Sequence, residues 1–180
     1  MVPGELLAEL RAVRAAVAAE GGTILDGWRP WIERPDFLES ATNLACYLAL
    51  RHRDLRRLQN GLMALGLSSL GRAEGRVLAS LDATIASLAA VAGVEARPRP
   101  DRTTFFRGDA LLAAATDELF GHGAGARQGR ILVTCPSEAA EDPTFFTRIA
   151  TAGADAVRFN CAPDDAAAWQ RMIGPKIRTR

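Results

Sequence analysis

Apolar residues in the first half of the chain recur at the spacing of one α-helical face. In residues 5–20 they occupy positions 0, 1, 4, 7 and 11 counted from Leu6, which predicts a helix. We expect Gly21-Gly22 to end this helix. The same spacing predicts a helical region over 39–66, which a slip in the pattern could divide into two helices. It predicts a further helix over 72–92.

The segments between these helices have a different pattern. Residues 23–37 contain Trp28, Trp31 and two prolines, and we expect a connector that its tryptophans anchor onto the helices. Residues 93–104 combine two prolines with charge and lack apolar periodicity, which predicts a linker. A shorter helix is predicted over 108–120.

The pattern changes again after residue 120. Residues 121–130 are rich in glycine and predict a second linker. The short apolar run 131–135 predicts a strand, 143–152 a helix, 155–161 a second strand, and a last helix follows to about residue 173, capped by Asp164 or Asp165. Because a helix separates the two strands, we expect them to be parallel.

The predicted fold class is therefore α + α/β. An all-α N-terminal domain over 1–125 precedes an incomplete β-α-β-α segment over 126–180. Two strands cannot close a barrel, so their edges and apolar faces need cover. The N-terminal helices could supply that cover, a second copy could supply it in a homo-oligomer, or the segment could be partly disordered; the pattern leaves these alternatives open.

Composition narrows the function classes. The 22 basic and 21 acidic residues give a net charge of +1, which offers no bulk electrostatic case for nucleic acid or an anionic membrane. No apolar run approaches the roughly 20 residues of a membrane span, and no signal peptide is visible. The three cysteines are widely separated and odd in number, so we expect neither a zinc site nor a disulfide framework. The expected compartment is a reducing cytoplasm.

The second predicted strand carries the best candidate chemistry. Alternation along it places Arg158 and Asn160 on one face near its carboxyl end, where parallel α/β folds bind ligands. A guanidinium there matches the geometry of a phosphate group. The alternative is a structural arginine that pairs with a nearby carboxylate.

Other polar features favour structural interpretations. The basic stretch 51–57 predicts a solvated helix face rather than a nucleic-acid site, because no reading motif accompanies it. His52 and His122 lack partners at metal-ligand spacing, so no metal site is predicted. Cys161 lies next to the phosphate candidates, and we expect it to be a small buried hydrophobe.

Three segments occur in a distinctive order: T-C-P-S-E at 134–138, A-G-A-D-A-V-R-F-N at 152–160 and G-P-K-I-R-T at 174–179. They resemble the first strand and turn, the "AGxxxxRxN" strand and the "GPKxRTG" segment of the pyruvate kinase barrel. Residues 67–74 and 77–82 resemble the helical extension of long bacterial pyruvate kinase-like proteins. The resemblance covers most of the chain.

This resemblance implies the start of a TIM barrel and a phosphotransferase that converts phosphoenolpyruvate and ADP to pyruvate and ATP. By the matched motifs, Arg158 would contact the transferring phosphoryl group, and Arg178 would also face the phosphates. Asn160 would help to bind the monovalent cation and nucleotide, and Thr134 and Pro136 would lie near the nucleotide base. Such a reaction depends on positioning and charge stabilisation.

The chain departs from the family at three places. Ala162-Pro163 stands where the family has a serine and a histidine, and 171–173 stands where it has an aspartate-bearing strand. The family's catalytic lysine and magnesium ligands lie beyond the matched segments. We therefore expect no cofactor within this chain and no activity from it alone, although magnesium and potassium are implied for a full-length relative. The alternative function is a non-enzymatic helical interaction or oligomerisation module.

Overall fold

The structure is a computed structural model that describes residues 2–95, 98–122, 127 and 129–174. It is mostly helical, with one two-stranded parallel sheet, which agrees with a helix-rich α + α/β class. The chain divides into two compact units, unit 1 over 1–112 and unit 2 over 113–180. The domain boundary predicted at residue 125 lies outside the described residues and stays a prediction, and most of the linker predicted at 121–130 lies outside them too.

The regular secondary structure in the described part of unit 1 is entirely helical. Two short 3₁₀ turns, Arg29–Trp31 and Pro35–Phe37, connect the first two helices. The helices are α1 Pro3–Trp28, α2 Leu38–Arg51, α3 Arg56–Ala64, α4 Val77–Val91, α5 Arg102–Phe105 and α6 Arg107–Phe120, the last of which extends beyond residue 112.

The core of unit 1 lies where α1 packs against α2 and α4. It is built almost entirely from aliphatic side chains, as the helical periodicity predicts. Its largest fully buried members are Leu6, Leu10, Val17, Leu58, Leu62, Val77, Leu81 and Leu88.

The glycine pair predicted to end the first helix lies inside it instead, because α1 continues to Trp28. Gly21 is buried against α2, and a Cβ atom built on it would lie only 2.9 Å from the Sγ of Cys46. The small residue therefore permits close packing of two helices. This packing outweighs the low helix propensity of glycine, about 1 kcal/mol relative to alanine.

The helix predicted over 72–92 begins later, at Val77. Its first turn is capped from another helix. Asn43 on α2 accepts a hydrogen bond from the Val77 backbone N–H through Oδ1 at 2.9 Å, and it donates to the Glu74 carbonyl through Nδ2 at 2.6 Å. This long-range cap fixes where α4 starts, and no local signal announces it.

The two connector tryptophans differ. Trp28 is partly buried and packs on a small cluster around Leu25, as expected of an anchor. Trp31 is 83% exposed, so the prediction that it anchors the connector is wrong. The linker predicted over 93–104 ends earlier, because helix α5 begins at Arg102, where Asp101 caps its first turn by accepting from the Thr104 N–H at 3.0 Å.

Unit 2 contains the parallel sheet predicted from the order of its elements. Strands β1, Leu132–Cys135, and β2, Ala156–Phe159, pair in parallel, with α7, Phe145–Thr151, between them in the chain. A 3₁₀ turn, Ser137–Ala140, follows β1. Helix α8, Ala166–Ile173, begins at Asp165, whose Oδ1 accepts from the Ala168 N–H at 2.8 Å.

None of the helices within the described ranges combines the length and apolarity needed to cross a membrane.

Candidate functional site at the carboxyl edge of the sheet

The two faces of the sheet in unit 2 have different surroundings. Cys135 and the partly buried Phe159 lie on the covered face, where Ala139 of the 3₁₀ turn and Met172 of α8 complete a small buried cluster. Side chains alternate along a strand, so Thr134 and Arg158 lie on the opposite face. Both are exposed, and the second face is thus open at the carboxyl end.

Asp155 fixes the amino-terminal end of the sheet. Its Oδ2 accepts from the Ile131 backbone N–H at 2.7 Å and from Nη2 of Arg127 at 2.6 Å, and its side chain is only 11% exposed. Backbone bonds from Asp155 and Ala156 to the Ile131 carbonyl join the same two segments. This residue could not be predicted from the sequence, because an aspartate before a strand carries no local signal of such a contact.

The carboxyl end of the sheet brings four of the predicted site residues into one region. Thr134 is the register partner of Arg158, so their side chains are neighbours on the open face. Pro136 directly follows β1, and Asn160 directly follows β2. All four are exposed. The fifth predicted residue, Arg178, lies outside the described residues.

Arg158 differs from the other arginines of unit 2. Within the described residues it forms no ion pair or hydrogen bond through its guanidinium group. The other described arginines of this unit each bind a carboxylate: Arg127 with Asp155, Arg130 with Asp117, Arg148 with Asp142 and Arg171 with Glu141. The alternative interpretation requires a nearby carboxylate that holds Arg158. No carboxylate in the part of the chain that the structure describes does so.

Asn160 is partly committed to its own turn. Its Oδ1 accepts from the Ala162 backbone N–H at 3.4 Å, which is a long bond of the Asx-turn kind. Among the described residues, nothing accepts a hydrogen bond from its amide nitrogen, and nothing pairs with the Thr134 hydroxyl. The edge therefore presents one guanidinium, one amide and one hydroxyl, a set suited to an anion with several oxygen acceptors.

The cysteines around this edge have different environments. Cys135 is buried with its Sγ 3.6 Å from the Met172 Sδ, and burial raises the pKa of its thiol, with Asp164 raising it further. Cys161 is exposed, so the prediction that it is a buried hydrophobe is wrong. It lies in a turn beyond the end of β2.

Within the described residues, no group of three or more His, Cys, Asp or Glu side chains is arranged to hold a metal ion. In comparisons with known proteins, no family, no curated protein and no solved structure matches this chain.

Proposed function

We propose that the chain belongs to a pyruvate kinase-like phosphotransferase, and that the carboxyl edge of its sheet forms part of the site for the transferring phosphoryl group. One observation carries this proposal: Arg158 is exposed at the carboxyl end of a parallel strand, with no carboxylate partner among the described residues. A guanidinium left unpaired beside a hydroxyl and an amide is suited to a phosphate group.

The proposal assigns Arg158 and Arg178 to the phosphate, and Asn160, Thr134 and Pro136 to the nucleotide and its monovalent cation. The β-α-β unit would be the start of a TIM barrel. Magnesium and potassium would act in a full-length relative with ADP and phosphoenolpyruvate. The matched segments include no catalytic lysine and no magnesium ligands, so the proposal assigns binding but no turnover to the 180-residue chain. The free thiols of Cys46, Cys135 and Cys161 suit a reducing cytoplasm.

The test is the affinity of the full chain for phosphoenolpyruvate, measured by calorimetry. We expect Arg158→Gln to weaken it by about tenfold, since a hydrogen bond to a charged group contributes about 1.5–3 kcal/mol. The matched control is Arg148→Gln, which removes a guanidinium that Asp142 already holds. Equal weakening by both variants would contradict the proposed site, and steady ATP formation by the chain would contradict the claim of no turnover.

A second candidate function is a helical interaction or oligomerisation module. Exposed apolar side chains on unit 1 favour it, among them Trp31, Phe37, Leu44 and Met63. Sedimentation equilibrium tests this candidate. A concentration-dependent dimer that Trp31→Ala weakens would support it, and a monomer at all concentrations would exclude self-association.

A further inference from the structure

The arginine-rich stretch after α2 does not form a uniformly solvated helix face. Arg51 lies at the end of α2, Arg53 in the following turn and Arg56 at the start of α3. All three line one cavity of about 270 Å³, whose other wall is the 70–74 segment. Three cations from three successive backbone elements therefore surround a single concave surface within unit 1.

The three guanidinium groups are neutralised to different degrees. Arg53 donates from Nη1 to Oε2 of Glu20 at 2.7 Å. Arg56 binds Asp54 in a two-point pair, with distances of 2.9 Å from Nε to Oδ1 and 2.5 Å from Nη2 to Oδ2.

Arg51 has no carboxylate partner among the described residues. Each of the two paired arginines uses only part of its fork of donors, so N–H groups remain on them.

The rest of the lining combines apolar and polar side chains and includes a strained residue. The side chains of Tyr47 and Gln59 line the cavity and form no hydrogen bond within the described ranges. Leu70 also lines it, with a φ of 58°, and it is the one non-glycine residue in the described part of the chain with a positive φ. Backbone strain of this kind concentrates at binding and catalytic sites.

We propose that this cavity binds a compact dianion, such as the phosphate group of a small metabolite. Arg51 would supply the uncompensated charge, and Arg53 and Arg56, held in place by their carboxylate partners, would supply directed donors. Ligand pockets span about 300–1,000 Å³, so this cavity suits a phosphate with a small attached group rather than a nucleotide. This inference does not depend on the proposed function of the sheet in unit 2.

Glu74 allows an anion site to be distinguished from a cation site. It is the one carboxylate lining the cavity that has no cation partner among the described residues. Its charge opposes an anion in the cavity. Removing that charge by Glu74→Gln should therefore tighten binding of a dianion, whereas a site for a cation would be weakened by the same change.

The experiment is titration of inorganic phosphate, by calorimetry, into 180-residue chains that all carry R158Q, so that the site proposed in unit 2 does not contribute. We expect saturable binding that R51Q weakens at least about fivefold and that E74Q tightens at least about twofold. The matched control is R57Q, because Arg57 belongs to the same stretch but pairs with Glu9 and does not line the cavity. It should change the affinity by less than about twofold. Circular dichroism verifies that each variant is folded.

Absence of phosphate binding in the R158Q chain would overturn the inference, and so would equal weakening by R51Q and R57Q, or weaker binding in E74Q. Loss of all phosphate binding on R158Q alone would leave the proposed function of unit 2 intact. If R158Q leaves the affinity for phosphoenolpyruvate unchanged while R51Q still weakens phosphate binding, the proposed function of unit 2 is contradicted and the cavity in unit 1 is supported.

Discussion

The two units of the chain bury their apolar residues in different ways. Unit 1 has a continuous core of leucine and valine from four helices. In unit 2, the described residues that are buried are Cys135, Ala139 and Met172, and Leu132 of the sheet is 57% exposed. Parallel sheets are normally covered on both faces. Unit 1 thus has the core of an independently stable domain, whereas unit 2 exposes the edge that carries its candidate chemistry.

The largest expected effect tests whether the two units unfold separately. Leu81 is fully buried in unit 1, and Leu81→Ala should lower the free energy of unfolding of that unit by about 2–5 kcal/mol, through lost apolar contacts and a residual cavity. Urea unfolding followed by tryptophan fluorescence measures this effect. Trp28 reports on unit 1 in a chain with W31F and W169F, and Trp169 reports on unit 2 in a chain with W28F and W31F.

We expect Leu81→Ala to move the Trp28 transition and to leave the Trp169 transition in place. The matched control is Leu44→Ala, which makes the same change at a side chain that is 47% exposed, and its effect should be much smaller. If the two fluorescence transitions coincide in every variant, the chain unfolds as one cooperative system and the contrast between the units is wrong.

The same contrast explains which parts of the fold could be predicted from sequence. Apolar periodicity is a local signal, and it located most of the helices of unit 1 and both strands of unit 2. It failed at Gly21-Gly22, where Gly21 packs closely against Cys46 of α2. It also failed at the start of α4, which Asn43 of α2 caps. Contacts between residues distant in the sequence leave no trace in a local pattern.

The candidate site shows the same limit. Strand alternation and the parallel order placed Arg158 and Asn160 at the carboxyl edge, and the structure has them there. Whether Arg158 has a carboxylate partner could not be predicted, since that depends on which acidic residues the fold brings near it. Exposure of Cys161 was also missed, because the two residues after a strand can be covered by any later element.

An intermediate effect is expected at the amino-terminal end of the sheet. Asp155→Ala removes the acceptor of both the Ile131 N–H and the Arg127 guanidinium, and we expect it to lower the free energy of unfolding of unit 2 by about 2 kcal/mol. Asp155→Asn keeps an acceptor for the backbone N–H and should cost less. Urea unfolding followed through Trp169 measures both.

The control for this prediction is Glu141→Ala, which breaks the exposed ion pair with Arg171. Exposed pairs contribute about 0–1 kcal/mol, so the Trp169 transition should barely move. An effect of Asp155→Ala no larger than that of the control would show that this carboxylate does not hold the two strands together, and that unit 2 depends on its small apolar cluster instead.

The smallest expected effect is a pH dependence within unit 1. His52 and then Arg53 donate to the Glu20 carboxylate and lower its pKa below the ordinary value of 4.5. Since the folded-state pKa is the lower one, the ionised group stabilises unit 1 above the unfolded-state pKa, and this contribution is lost as the pH falls through the folded-state pKa. Glu20→Gln should remove it.

Thermal unfolding of unit 1, followed through Trp28, measures the difference in Tm between the parent chain and E20Q. We expect this difference to be largest near neutral pH and to shrink as the pH falls from about 4.5 through the lower folded-state pKa, because the folded carboxylate then gains a proton and is no longer an ionic partner. The matched control is Glu33→Gln, since Glu33 is exposed and forms no ion pair within the described residues. A difference for E20Q that stays constant across this range would mean that the Glu20 contacts stabilise α1 against the end of α2 through geometry and not through charge.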